Sequence, residues 1–255
     1  AISTSSGTEG GISLGGSVDI NASLIAGAGS ISLNGADSGD ADLEIDSDLT
    51  SSGASINLVA ARDIIVGGTS AATLTTTSIT SDITLTADSE ATPDGIGGVQ
   101  IATLGAIASA NAATLSGSDL FITGGAIDSV EIASAGTSTQ LQASGDILVQ
   151  NGTNAPAAGQ TIINGVVDGD GTITITGESD VVLGADGDVF GDTGDILVSA
   201  GTGEILMANG SIIDARSGLI DMDAIGDITL GALATSAEAQ VTSTTGAIVD
   251  GGDDE

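Results

Sequence analysis

Apolar side chains take every second position in short phrases that recur from one end of this chain to the other. Gly29-Ser30-Ile31-Ser32-Leu33, Ser81-Asp82-Ile83-Thr84-Leu85, Gly145-Asp146-Ile147-Leu148-Val149, Gly194-Asp195-Ile196-Leu197-Val198 and Gly226-Asp227-Ile228-Thr229-Leu230 are five of them. A period of two puts one side of the segment into a core and the other into water, which is the signature of a strand. The Gly, Ser and Asp in front of each phrase are residues that turn the chain. No stretch carries the i, i+3, i+4 apolar spacing of a helix over three turns. The chain reads as all-β.

Repetition of one strand phrase decides the architecture, because similar strands stacked in parallel place Ile over Ile and let each layer cover its neighbour. Ile12 and Ile31 occupy equivalent places, so one coil would run from the first to the second. At roughly 20 residues per turn the chain makes about 13 turns. With ~4.8 Å between stacked strands, the rod is about 60 Å long. This is the expectation of a parallel β-helix, or solenoid. A β-sandwich is the other architecture in view, since Asn-Gly occurs at Asn34-Gly35, Asn151-Gly152, Asn164-Gly165 and Asn209-Gly210 and favours hairpins. The strands look too short for it. Residues 1–255 read as a single solenoid domain, with irregular loops expected near 88–98, around Pro93, and 150–160, around Pro156.

Composition agrees with a narrow core. Hydrophobic residues make up 40% of the chain and aromatic ones 1%, so Ile, Val, Leu and Ala must fill the interior. Phe121 and Phe190 are the only rings and are expected where the tube widens.

Charge removes several function classes. The chain has 35 acidic and 2 basic residues and a net charge of −33. Nothing is available to neutralise phosphates, which excludes ordinary nucleic-acid binding, and anionic membrane surfaces are repelled. The two basic residues, Arg62 and Arg216, are expected to pair with stacked carboxylates of neighbouring turns. There is no Cys, so no disulfide or thiolate metal site is available. No apolar run approaches the ~18 residues that a membrane helix needs. The opening Ala1-Ile2-Ser3-Thr4-Ser5 has neither an initiator Met nor the layout of a signal peptide, and the chain reads as a piece of a longer protein.

The Gly-Asp-Ile phrases, as at Gly145-Asp146-Ile147 and Gly226-Asp227-Ile228, together with Gly-Ser-Ile phrases at irregular spacing, give almost the whole chain a texture that resembles the repeat region of filamentous hemagglutinin-like adhesins, giant secreted surface proteins of bacteria. That resemblance implies a right-handed parallel β-helix, located outside the cell or on its outer surface. It further implies a stalk or fibre segment. Uniform repetition without a convergent set of polar, basic and aromatic residues adds the expectation that the segment is non-enzymatic and presents binding modules or associates with copies of itself. The expected partners are neighbouring repeats of the parent chain and a cell-surface glycan or protein.

Candidate chemistry lies in the acids. Asp168/Asp170, Asp186/Asp188 and Asp221/Asp223 are i, i+2 pairs that share one side of a strand. Asp168-Gly169-Asp170-Gly171 opens like a calcium loop, although its twelfth position is Ser179 rather than Glu. The stretch through Asp186, Asp188, Asp192 and Asp195 resembles a nonapeptide calcium roll with shortened spacing. Two readings stand: Asp168, Asp170, Asp186, Asp188, Asp192 and Asp195 hold calcium in a calcium-dependent extracellular binding module, or they are turn formers. No cofactor is required under the second. A polysaccharide-degrading enzyme is the remaining alternative, but the chain lacks the Arg, Lys, His and aromatic groups that would hold an acidic glycan. Finally, Thr73-Leu74-Thr75, Thr84-Leu85-Thr86 and Thr172-Ile173-Thr174-Ile175-Thr176 would turn hydroxyls outward as on an ice-binding solenoid face, though Thr is favoured in strands anyway.

Overall fold

In a computed structural model of the chain, the described residues are 2–3, 12–16, 18–35, 41–87, 89, 97–102, 104–117, 119–123, 139–151 and 160–250. Among them the alternating phrases form thirty strands and no helix, from Ile2–Ser3 to Ile248–Asp250. No helix among the described residues is long and apolar enough to cross a membrane. The strands sort into three sheets of ten, each taking every third strand in chain order, and the described pairings are all parallel. Successive strands therefore lie on successive sides of one tube. This is a parallel β-helix.

Like stacks on like. In the second sheet the partners run Ile12, Ile31, Ile56, Ile83, Ala113, Ile147, Ile173, Ile196, Ile220 and Ala239. The first sheet contributes Leu24, Leu49, Leu74, Ile107, Leu141, Val167, Val189, Ile213 and Leu233. From Ile20 to Ile228 these inward residues form one continuous apolar core. Each fully buried Ile or Leu removes enough surface from water to stabilise the fold by roughly 1.5–3 kcal/mol.

Coil length varies, which corrects the estimate of about 13 turns. Ile12 stacks on Ile31 as anticipated, and the last coil, Ile220 to Ala239, has the same length as that first one. The coil from Ala113 to Ile147 is nearly twice as long. The three strands of that long coil, Ala113–Gly117, Asp119–Thr123 and Thr139–Ala143, are five residues each, so its length does not come from longer strands. Ten strands per sheet therefore span nine steps of ~4.8 Å, a rod of about 43 Å rather than about 60 Å. The loops expected near 88–98 and 150–160 fall mostly outside the described residues. Strands on either side of both keep their register.

Small residues line the corner between the first and second sheets. Ser51, Thr76 and Ser109 lie there at the end of the first-sheet strands, buried among aliphatics. Their hydroxyls donate to corner carbonyls: Ser51 Oγ to Ala54 O at 2.6 Å, Thr76 Oγ1 to Ser81 O at 3.0 Å and Ser109 Oγ to Ala112 O at 2.8 Å. Ser81 Oγ, buried beside them, has no hydrogen-bond partner among the described residues.

Candidate functional site

The Gly-Asp-Ile phrase acquires a physical meaning at the corners. A parallel strand that begins after a turn leaves backbone N–H groups without a partner in their own coil. The Asp one coil below accepts them. Asp146 Oδ1 takes the Thr172 N–H at 2.8 Å, Asp195 Oδ1 that of Leu219 at 2.8 Å, and Asp227 Oδ1 that of Ala247 at 2.7 Å. Asp48, Asp63, Asp180 and Asp188 do the same for Thr73, Gly98, Glu204 and Ile212.

The glycines are there for close approach. A Cβ at Gly194 would run into the backbone of Gly171 below it, and one at Gly218 would run into Gly194 O. At Gly226 it would meet Gly203 O at 2.8 Å in the same sense. Three letters thus carry three jobs: Gly lets the corners stack, Asp accepts from the coil above, and Ile fills the tube.

The six acids singled out from the sequence fall into two separate places. Asp168 is half-buried on the outside of the first sheet, paired by register with Gln142 and Phe190. Burial pushes its carboxyl above the ordinary value; the Arg216 guanidinium opposes this and Asp170 adds to it. Asp192 forms an ion pair with Arg216, and Asp195 is committed to the Leu219 N–H. Asp170 lies exposed at this corner, where its carbonyl accepts the Thr193 N–H at 3.3 Å.

Asp186 and Asp188 sit at a different corner, between the third and first sheets. Burial is the main cause that raises the Asp188 carboxyl, with Asp186 adding to it and the Ile212 N–H working against it. No three of the six bring carboxylate oxygens within 4.8 Å of one another.

A group that does so, Asp19, Glu44 and Asp46, was not singled out from the sequence. Asp19 and Glu44 are direct register partners on the outside of the third sheet. Asp46 follows the strand Leu43–Ile45 and is only 7% exposed. It braces the turn above it, accepting the Thr69 N–H at 2.8 Å, the Ser70 N–H at 3.2 Å and the Thr69 hydroxyl. These donors, the Thr69 hydroxyl first, hold its carboxyl below the ordinary value. Three convergent carboxylates are hard-oxygen donors of the kind a divalent cation takes. The signal for this trio was the length of that one coil, which sets Glu44 directly over Asp19.

Both arginines pair as expected. Arg62 Nη2 meets Asp42 at 3.1 Å in the coil below and its Nε meets Asp63 at 3.1 Å, while Arg216 reaches down to Asp192. Arg216 also adopts φ of 47°, at a register shift where its N–H donates to Asp214 Oδ1 at 2.8 Å.

The expectation that Phe190 fills the tube is corrected. Its strand Asp188–Gly191 turns Val189 and Gly191 inward and leaves Phe190 half-exposed, since alternation gives it the opposite parity. A Cβ at Gly191 would already touch Ile196 Cγ1 at 3.2 Å, so the tube is too tight there for a ring. Phe121 pairs by register with Gln100 and Ile162.

The threonine phrases come partly together. Thr84 and Thr86 stack on Thr114 and Ser116 in the second sheet, Leu148 and Gln150 follow, and then come Thr174 and Thr176. Thr73 and Thr75 belong to the first sheet.

Comparison of the chain with family models, with curated proteins and with solved structures found no match.

Proposed function

We propose that this chain is a structural segment of an extracellular stalk or fibre in a bacterial surface adhesin, non-enzymatic, acting through length and stiffness. The observation that carries this reading is the continuity of all three ladders through ten strands each, on a core unbroken from Ile20 to Ile228. A tube whose every layer is hydrogen-bonded to the next resists bending and projects whatever is joined to its end. The acidic residues support the reading from a second side. Those at the corners described above accept backbone N–H groups of the next coil, and the rest give a surface that repels its own copies and stays soluble.

The test is made on intact cells that produce the parent protein. Antibody against this segment should label the outer surface, and deletion of whole coils should shorten the projection by ~4.8 Å per coil without loss of the end module's binding. Retention inside the cell, or reducing-sugar release from a glycan panel by the purified chain, would overturn the proposal.

A calcium-dependent binding module is the second reading, and the Asp19, Glu44 and Asp46 trio is the observation that favours it. Millimolar calcium would then raise the melting temperature beyond the effect of NaCl at matched ionic strength, and Glu44→Gln would remove the excess. Equal responses to the two salts would leave only screening of the net charge.

A further inference from the structure

Among the described residues, the outer side of the third sheet is the one that sets aliphatic residues in three successive coils, Ile162, Val182 and Leu206. Residues two apart in a strand share a side, so its phrases set an acid next to an aliphatic: Asp63 with Ile65, Asp180 with Val182, Glu204 with Leu206. Register then draws these into two parallel columns. One takes Ile65, Gln100, Phe121, Ile162, Val182, Leu206, Thr229 and Val249 in turn, with Ile162, Val182 and Leu206 aliphatic in three successive coils. Beside it, each one position ahead of the inward partners Val181, Ile205 and Ile228, stand Asp180, Glu204 and Asp227. On the second sheet, by contrast, the corresponding outward residues run Ser32, Asn57, Thr84, Thr114, Leu148, Thr174, Leu197 and Asp221, so that Thr174 separates the two leucines. Ile162, Val182 and Leu206 are half-buried only by their own neighbours, in a surface otherwise dominated by polar groups.

Two arguments identify what would cover such a strip. The unbroken aliphatic stretch, Ile162, Val182 and Leu206, takes two steps of ~4.8 Å and is about one side chain wide, about 100 Å² if ~10 Å across, well short of the ~800 Å² per partner of a stable pair. A second copy would also bring another charge of −33 against this one. A cationic segment meets both columns. An amphipathic helix repeats its apolar stripe every ~5.4 Å, close to the ladder spacing, and Lys or Arg at the stripe's edge would lie over the carboxylates.

We propose that the third sheet is a docking strip for a basic amphipathic helix of a partner protein, seated lengthwise on the Ile162, Val182 and Leu206 column with its cations over Asp180, Glu204 and Asp227. This does not rest on the stalk reading, since the strip would serve any protein that displays it.

The test uses the full chain and two peptides of about 18 residues of equal Leu and Lys content, one with Leu at i, i+3, i+4 and i+7, the other scrambled so that it forms no stripe. Titration at ~150 mM NaCl should show the striped peptide binding at least ~10-fold tighter. The double variant V182T/L206T, which keeps strand propensity and leaves the core intact, should abolish that preference. The equivalent change on the second sheet, L148T/L197T, should leave it in place. Equal affinity for the two peptides would reduce the interaction to charge and overturn the proposal, as would a preference that survives in V182T/L206T. Sedimentation showing a dimer of the free chain that V182T/L206T dissolves would overturn it too, by assigning the strip to a second copy.

Discussion

Asp188 separates the structural account of the acids from the metal-site account within one residue. Its Oδ1 accepts the Ile212 N–H at 3.0 Å from a part-buried position, and burial raises its carboxyl above the ordinary range. Replacement by Ala removes the acceptor and leaves the amide of the next coil unpaired. Side-chain caps of this type contribute about 1 kcal/mol, within a range of roughly 0.5–2. For a domain of this size that lowers the melting temperature by about 2–4 °C. Replacement by Asn keeps an oxygen in place and removes a charge that burial disfavours, so Asp188→Asn should match or exceed the wild-type stability at neutral pH.

The sign of the pH effect follows. A carboxyl whose folded pKa is raised favours the fold when protonated, so its burden is present at neutral pH and lifts as pH falls through the raised value. The advantage of Asn over Asp should therefore vanish on acidification. Thermal melts of the three proteins, with hydrogen exchange at the Ile212 amide, provide the readings. If Asn costs as much as Ala, the carboxylate charge itself is needed and the hydrogen-bond reasoning fails. It fails equally if Ala costs nothing and Ile212 keeps its protection.

Three further outcomes are expected. Gly194→Ala drives a methyl into the Gly171 backbone and should destabilise by about 1–3 kcal/mol, read from denaturant unfolding, whereas Gly16→Ala meets no atom within 4 Å and should cost only its positive φ of 90°. Stability should rise as pH falls from neutral toward the carboxylate range, because Asp168 and Asp188 shed their burden and the net charge shrinks; below the ordinary value of 3.8 it should fall, because Asp46, held low by Thr69, loses its contribution there. Ser81→Ala removes a buried hydroxyl without a partner among the described residues and should leave stability unchanged or raise it by up to ~1 kcal/mol, as measured by thermal melting.

The core was legible in the sequence because its rule is local: Ile31 and Leu33 declare an inward side by alternation alone, and every coil repeats the statement. What each Asp does was not legible, because its partner lies one coil on and coils differ in length. Asp146 reaches Thr172, 172 − 146 = 26 residues later, while Asp227 reaches Ala247 after 247 − 227 = 20. Until corner lengths are known, acids adjacent in sequence look paired and acids adjacent in space do not. That is why Asp186 and Asp188 drew attention and the trio of Asp19, Glu44 and Asp46 did not. Phe190 was misplaced for a different reason: ring size argued for the interior, but strand parity puts Val189 there and leaves the ring outside.

Cysteine pairs introduced into this Cys-free chain test the stacked parallel coils most directly. Register sets Thr174 against Leu197 and Thr176 against Ser199, at the ~4.8 Å spacing of adjacent strands and within disulfide reach. The double variants T174C/L197C and T176C/S199C should both close disulfides under mild oxidation, while T174C/S199C and T176C/L197C, about 8 Å apart across the diagonal, should not. The reverse result, with the diagonal pairs linking and the register pairs remaining free, would mean antiparallel strands and would contradict the β-helix on which this account stands.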